Sequence, residues 1–438
     1  MTPVMKFKKK FYFLVASYFR FFANISFRRW RPRVIAITGS VGKTTMLNLV
    51  ECILKDRAHY SHDANSAYGI AFDILKLTGV TGSKLKWLYL FIAAPIKSLF
   101  YTHKEEFYVV EIDGERPHEA EFLASWLKPE VTLWISLGLS HAVQFEQQVK
   151  DGLFENLDKA ITHEFATLPE HTQKLVIIDN DVELMVRALD SIKQKGLTKA
   201  KVIKCSKKDL VKYQVMPDQT KFEIQSAESS QTRRYQFNRP LSKDLTIQLV
   251  MLEKLAEYLK IKIDSDLSDF RLAPGRNSYF EGKNGVQIID SSYNAHLISV
   301  KSILEMFKAM KVEHKWLVIG DIVDQGSIEG QEHAKLANEI IKVNPEKVIL
   351  IGRRTKKYTA PLLKEAGIVP YATYATNDPK EALAYLEKHL SGSETILFKG
   401  SQYLEWIIEK ILRNPDDAKK LPRREKAAIK RRQKRGLN

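Results

Sequence analysis

The chain has 438 residues, too many for one ordinary hydrophobic core, so two or three domains are expected. With 44% hydrophobic and 28% charged residues it reads as a soluble globular protein, and its two cysteines, Cys52 and Cys205, exclude a disulfide framework and a cysteine-based metal site, which suits a reducing compartment. A net charge of +17 suggests nucleic acid at first sight, but the excess lies at the two ends: nine cations and no acid up to Arg33, ten cations against Glu425 from Lys419 onward, and a body close to neutral between them.

In chain order, residues 1–33 form a basic amphipathic segment. Lys6, Lys8, Lys9 and Lys10 precede the apolar run Phe11 to Phe19, which is too short to span a bilayer and lacks a cleavage site of the signal-peptide kind. It reads as a helix lying in an anionic membrane interface at the inner face of the cell membrane, or as a helix packed on its own domain. A second apolar run, Leu85 to Ile96, either joins that surface or forms a partly buried helix. Apolar strands are expected at Val34–Ile37, Phe107–Ile112, Val131–Leu137 and Leu175–Ile178, alternating with helical patterns, which implies a parallel α/β sheet with its ligand at the strands' carboxyl ends. Shorter polar strands follow between about Lys199 and Phe237, then a helix from Ile247 to Leu259. A second, Rossmann-like α/β unit is expected from the strands Val286–Asp290, Trp316–Asp321, Lys347–Gly352 and Thr395–Ser401. The Lys/Arg-rich tail from residue 416 to 438 reads as mobile or loosely helical, attractive to nucleic acid or anionic lipid, or merely solubilising.

The stretch Thr38-Gly39-Ser40-Val41-Gly42-Lys43-Thr44-Thr45 carries the chemistry. It follows a strand and opens a helix. Gly39 and Gly42 allow a tight turn that presents N–H groups to phosphate oxygens, Lys43 reaches the β- and γ-phosphates of a nucleoside triphosphate, and Thr44 offers a hydroxyl to Mg²⁺. The loop is shorter than the common G-x-x-x-x-G-K-[ST] form. Glu111, at a strand end, and the loop holding His141 are expected beside it.

These residues resemble the Mur ligases, ATP-dependent amide-forming enzymes of peptidoglycan synthesis, and most of all their D-alanyl-D-alanine-adding branch. The shortened loop is that family's form. Asn65-Ser66-Ala67-Tyr68-Gly69-Ile70 is similar to its N-N-x-x-G-[VI] element, Glu111-Ile112-Asp113-Gly114 to its E-x-G element, and Ser140-His141 with Phe145 to its H-L-E-x-F element. Pro274-Gly275-Arg276, Asp290 to His296 with Ser299, Ile319-Gly320-Asp321 and Lys399-Gly400-Ser401 follow in family order, and Tyr293-Asn294-Ala295 points to the D-Ala-D-Ala branch. The likeness runs from about Val34 to Ile411.

The resemblance implies a central ATP-binding domain over residues 34–240 and a C-terminal Rossmann-like domain over residues 241–415. It implies ATP and Mg²⁺ as cofactors and an acyl phosphate that an amine converts to an amide. It further implies Glu111 and His141 as metal ligands beside Thr44, Lys159 as a carbamylated lysine, and Asn65 and Ser66 at the substrate. Arg276, Asp290, Asn294 and His296 would hold the base and sugar of the nucleotide, and Lys399 its phosphates. The sequence departs from the family at Val143, where an acid is usual, at Leu297, where a proline is usual, and around Leu241 to Asp244, where no H-N-x-x-N element is found. A UDP-binding domain usually precedes the loop, whereas residues 1–33 precede it here, so a UDP-linked acceptor would be recognised differently or the acceptor would be lipid-linked. A membrane-associated ATP-binding scaffold descended from a ligase is the competing expectation, and the neutral body argues against nucleic acid as a partner.

Overall fold

The computed structural model describes the chain except residues 1–2, 63, 79–82, 115, 140–141, 226–231, 264–266, 268, 294, 324, 368–372 and 402, and describes residues 3–10 by their backbone alone. The chain divides into two compact units, Met1–Lys207 with Ile247–Asp264, and Lys208–Thr246 with Ser265–Asn438. The basic segment expected to stand apart at the start therefore counts with the first unit, and the tail with the second.

The first unit begins with α1 (Pro3–Trp30), followed by β1 (Arg33–Thr38), α2 (Lys43–Leu54), β2 (Ala58–Tyr60), α3 (Ala67–Ile74), α4 (Lys84–Phe100), β3 (Phe107–Ile112) and α5 (Glu119–Leu127). It continues through β4 (Val131–Trp134), α6 (Glu146–Lys150), α7 (Leu157–His171), β5 (Leu175–Asp179), α8 (Glu183–Gln194) and β6 (Lys201–Cys205). The six strands pair in the order β2-β3-β1-β4-β5-β6, every pair parallel. Parallel strands are covered on both faces, which is why β1, β3, β4 and β5 read as near-continuous apolar runs. The chain builds to one side of β1 through β3 and to the other through β4. The carboxyl end of β1 is thus the switch point where a crevice opens.

α1 is folded onto this unit. Ala16, Phe19, Ala23, Ser26 and Trp30 are buried at alternating spacings of three and four, one stripe of the helix, and Phe19 and Ala23 join an apolar cluster with Ile70, Leu90, Tyr108 and Leu123. Tyr18 Oη donates to the Phe91 carbonyl at 2.7 Å and Ser26 Oγ to the Tyr101 carbonyl at 2.9 Å, tying α1 to α4. The packed-helix alternative thus describes its inner face.

The second unit holds β7 (Leu210–Val215), β8 (Thr220–Gln225) and β9 (Thr232–Phe237), an antiparallel sheet where short polar strands were expected. Helix α9 (Leu245–Leu259) follows, its residues from Ile247 on belonging to the first unit. Then come β10 (Ser278–Glu281), β11 (Gln287–Ser291), α10 (Leu297–Ala309), β12 (His314–Gly320), α11 (Glu329–Val343), β13 (Lys347–Ile351), α12 (Ala360–Glu365), β14 (Thr373–Thr376), α13 (Pro379–His389), β15 (Glu394–Lys399), α14 (Leu404–Ile411) and α15 (Lys426–Gln433). Their sheet order is β10-β11-β15-β12-β13-β14, parallel except for β10. Inserting β15 between β11 and β12 brings the ends of three strands together, carrying Asp290, Lys399 and Gly320-Asp321.

Of the mobile or loosely helical tail its composition suggested, the helical alternative holds in α15, and the segment is packed against this unit. Leu421 and Leu437 are buried with the α14 side chains Ile407 and Ile411, and Trp406 Nε1 donates to the Asn438 carbonyl at 2.9 Å. Glu409 of α14 accepts from Arg424 at 2.6 Å and from Arg432 at 2.7 Å. The acids that receive Arg423, Arg424 and Arg432 lie on α14, which precedes the tail, while Lys419 and Lys420 pair with Asp416 and Asp417.

Candidate active site

The loop after β1 has the backbone that its glycines allow. Gly39 (φ 140) passes so close to β4's end that a Cβ would lie 2.9 Å from the Ser136 N and O atoms, and Gly42 (φ 86) is the left-handed N-cap of α2. No side chain caps α2 and its first turn holds no acid, so its leading N–H groups and positive dipole end face the loop's hollow. That is an anion site built from backbone.

Lys43 opens α2 and its Nζ lies 2.7 Å from Asp113 Oδ1 while donating to the Gly39 carbonyl at 2.7 Å. Thr44 Oγ1 donates to Glu111 Oε2 at 3.3 Å, and Glu111, buried at the end of β3, also fastens its backbone by donating N–H to Ser61 Oγ at 2.9 Å. Thr38, which pairs with Ile112 and Trp134 in the sheet, donates its hydroxyl to the Ile112 carbonyl at 2.9 Å. Ser40 Oγ donates to the Gly138 carbonyl and accepts from Gly138 N, both at 2.8 Å, and Val41 N donates to Ser136 Oγ at 3.0 Å. Thr45 sits half-buried in the first turn of α2.

The neighbouring substrate candidates are set by the same strand end. The Asn65 carbonyl accepts from Asp113 N at 3.0 Å, and Asn65 itself is exposed. Ser66 Oγ caps α3 by accepting from Gly69 N at 3.3 Å. Behind them are two buried carboxylates. Glu119 accepts from Ala67 N at 3.0 Å and from Tyr12 Oη at 2.6 Å, while Glu164 accepts from His118 N and Ala120 N, both at 2.7 Å. Burial raises the carboxyl pKa of both, that of Glu164 to about 7.

In the second unit, Lys399 ends β15 opposite Ser291 of β11, wholly buried, and its Nζ donates to Ser299 Oγ at 2.8 Å. Burial and the nearby Arg276 guanidinium push its pKa down to about 7, against the opposing pull of Asp290. Asp290, also fully buried, accepts from Ser292 N at 3.0 Å, and its desolvated carboxyl is pushed up to about 6. Arg276 stacks over Tyr293 with 4.9 Å from guanidinium carbon to ring centre, and His296 is the N-cap residue of α10. Arg276 and Asp290 thus act on Lys399, while Arg423 and Glu405 act on Asp290, a cluster of desolvated and charged groups at one strand edge suited to hold an anionic ligand.

Residues 275–402, which span this second site, match the model of the Mur ligase glutamate ligase domain. The UDP-N-acetylmuramoyl-tripeptide--D-alanyl-D-alanine ligases of Borreliella burgdorferi and Rickettsia prowazekii are each 23% identical to the chain. The first aligns over 84% of this chain and 72% of its own length, the second over 85% and 76%. Among solved structures, MurF from Acinetobacter baumannii superposes with a TM-score of 0.68 at 17% identity, covering 89% of this chain and 78% of that one. MurF from Thermotoga maritima in complex with ADP superposes at 0.67 and 18%, covering 88% and 80%. The chain is thus similar to Mur ligases over most of its length, and residues 275–402 carry their glutamate ligase domain.

Against the family pattern, the structure groups Thr38 to Thr45 with Glu111, and Arg276 and Asp290 with Lys399. His141 and Asn294 lie outside the described residues. Lys159, in the first turn of α7, is exposed and bonds Glu155 at 2.6 Å. Val143, where the Mur ligases usually carry an acid, is 44% exposed. Three residues at the loop escaped the sequence reading: Asp113, Ser61 and Ser136. Asp113 stands within the quoted stretch Glu111-Ile112-Asp113-Gly114, directly before its glycine, and that acid was the available signal.

Proposed function

We propose that this protein is an ATP-dependent amide ligase that joins D-alanyl-D-alanine to a muramoyl-tripeptide acceptor in the synthesis of a peptidoglycan precursor. The observation that carries the reading is the set Lys43, Thr44 and Glu111 at the uncapped start of α2. The names of relatives aligned over more than four-fifths of the chain support the substrate pair. ATP fits the loop, as the ADP complex of a structural neighbour suggests.

The Thr44 hydroxyl and the Glu111 carboxylate are the hard oxygen donors that Mg²⁺ takes, and they already converge to 3.3 Å. When bound there, the ion would neutralise charge on the transferring phosphoryl group. The chain's own part is positional. The loop N–H groups and Lys43 hold the β- and γ-phosphates, so the acceptor's carboxylate oxygen attacks the γ-phosphorus, ADP leaves, and an acyl phosphate forms. The amine of D-alanyl-D-alanine then attacks the acyl carbon, phosphate departs, and an amide bond remains. Lys43 must leave Asp113 for the phosphates. Asp113 thereby keeps the ammonium in place until ATP arrives.

In this reading Asn65 and Ser66 border the acceptor, His141 and a carbamylated Lys159 serve a second cation, and Arg276, Asp290, Asn294, His296 and Lys399 grip the nucleotide. Reaction at the expense of ATP sets the protein in the cytoplasm; no described helix is long and apolar enough to cross a membrane. Contact with an anionic membrane surface accompanies this reading, with Arg423, Arg424 and Arg432 of the tail engaged by Glu405 and Glu409 rather than by lipid. The test is ADP release by the purified protein with Mg-ATP, D-alanyl-D-alanine and UDP-muramoyl-tripeptide, beside Lys43→Ala. Release that requires both substrates and Lys43 supports the ligase; nucleotide binding with no release under any pairing overturns it.

A further inference from the structure

Helix α4 is apolar on both sides. Its inner face buries Leu90, Ala93 and Ala94 in the cluster it shares with α1 and α3. Its outer face carries Leu85, Leu88, Tyr89, Ile92, Ile96 and Leu99, each more than half exposed. Their spacing of three, one, three, four and three residues is one continuous helical stripe. Single exposed leucines are ordinary, but a stripe four turns long is an interaction surface. α1, bonded alongside through Tyr18, Ser26 and Arg29, adds Leu14 at 68% and Phe21 at 63% exposure.

Charge decides what covers this stripe. Across α4 the charged side chains are Lys84, Lys86 and Lys97, and across α1 they are seven lysines and arginines; neither helix contains an acid. Lys84 sits exposed at one end of the stripe, and Arg28 and Arg29 lie exposed where α1 meets the end of α4, with Arg29 bonding the Leu99 and Tyr101 carbonyls. An apolar ridge ending in cations, with an outward tyrosine, matches the depth profile of an anionic bilayer surface: acyl chains below, phosphates at the rim.

We propose that the outer face of α4, flanked by α1, docks the protein on anionic lipid bilayers as a peripheral surface. The proposal is independent of the ligase reading, because no residue of the phosphate loop takes part.

The experiment is vesicle co-sedimentation of the full chain with phosphatidylcholine, alone or mixed with phosphatidylglycerol, comparing the wild type with Leu88→Asp/Ile92→Asp. Both side chains point to solvent, so the variant should keep its fold, which Mg-ATP binding in vesicle-free solution verifies. Binding to the mixed vesicles should fall with salt and drop about a hundredfold in the double variant, roughly tenfold for each apolar anchor lost. No binding of the wild type to mixed vesicles, or equal binding by the double variant, overturns the proposal. So does sedimentation showing a wild-type dimer that the variant abolishes, since the stripe is then covered by a second copy. Mg-ATP binding unaltered in every arm leaves the ligase reading standing whichever way the vesicles fall.

Discussion

Lys43 Nζ and Asp113 Oδ1 stand 2.7 Å apart, the ammonium with 14% of its side chain exposed and the carboxylate with 5%. A pair this enclosed is costly to break from one side, because the remaining charge stays desolvated. Lys43→Met should therefore lower stability by about 3–5 kcal/mol as well as abolish turnover. Adding Asp113→Asn should restore most of the stability and none of the turnover. Denaturant unfolding of the two variants measures this, and a Lys43→Met protein as stable as the wild type would refute the structural half of the claim.

Thr44 and Glu111 predict a metal dependence that separates from nucleotide binding. Glu111→Gln keeps the shape of the strand end and removes the anionic ligand. The Mg²⁺ concentration needed for half-maximal ADP release should rise about 10- to 100-fold, the range seen when support for a metal site is lost. ADP binding without metal should stay nearly constant. A parallel loss of metal-free binding would assign Glu111 to the loop's architecture instead.

Lys399 predicts a proton. Its folded pKa, about 7, lies below the unfolded value of 10.5, so the native state binds fewer protons than the unfolded one between those values. The burden of burying the ammonium is full below pH 7 and is relieved as pH rises towards 10.5. Lys399→Met should thus be stabilised relative to wild type most at pH 6, with the gap closing at alkaline pH in thermal melts. In the role proposed for Lys399 a phosphate beside it would favour its charged form, so on that proposal ATP binding near pH 8 should take up a proton in the wild type and none in the variant. Calorimetry in buffers of different ionisation enthalpy reads that uptake; equal uptake in both proteins would move the phosphates away from Lys399.

Glu409 predicts that the tail is part of the second unit's stability. It accepts from two arginines at 2.6 and 2.7 Å. Glu409→Ala should cost about 1–3 kcal/mol, since Arg424 and Arg432 lose a charge-assisted partner together. Hydrogen exchange over α15 should accelerate while that over β1 and β3 stays unchanged. Uniform exchange across both regions would show the contact to be dispensable.

Local chemistry was legible and register-borne chemistry was not. Gly39, Gly42, Lys43 and Thr44 sit within six residues of one another, and each type has a job that spacing alone reveals. Ser61, Asp113 and Ser136 reach the same loop through strand pairing, Thr38 standing opposite Ile112 on one side and Trp134 on the other. The strands themselves were readable because burial on both faces makes them uniformly apolar. α1 was half read: the cationic, aromatic run suggested a surface helix, while the buried positions Ala16, Phe19, Ala23, Ser26 and Trp30 include small residues that a search for apolar runs passes over. The tail's helical character was legible but its docking was not, because composition shows its cations and not the two glutamates of α14 that receive Arg423, Arg424 and Arg432.

That tail has a practical consequence. From Lys419 to Arg435 it offers ten lysines and arginines, a sequence that trypsin should shred in an unfolded peptide. Here Arg432 is nearly buried, Arg423 spans from Glu405 to the backbone of Ser292 and Tyr293, and the chain's last residue is gripped by Trp406. Protease access therefore requires the segment to peel away from α14.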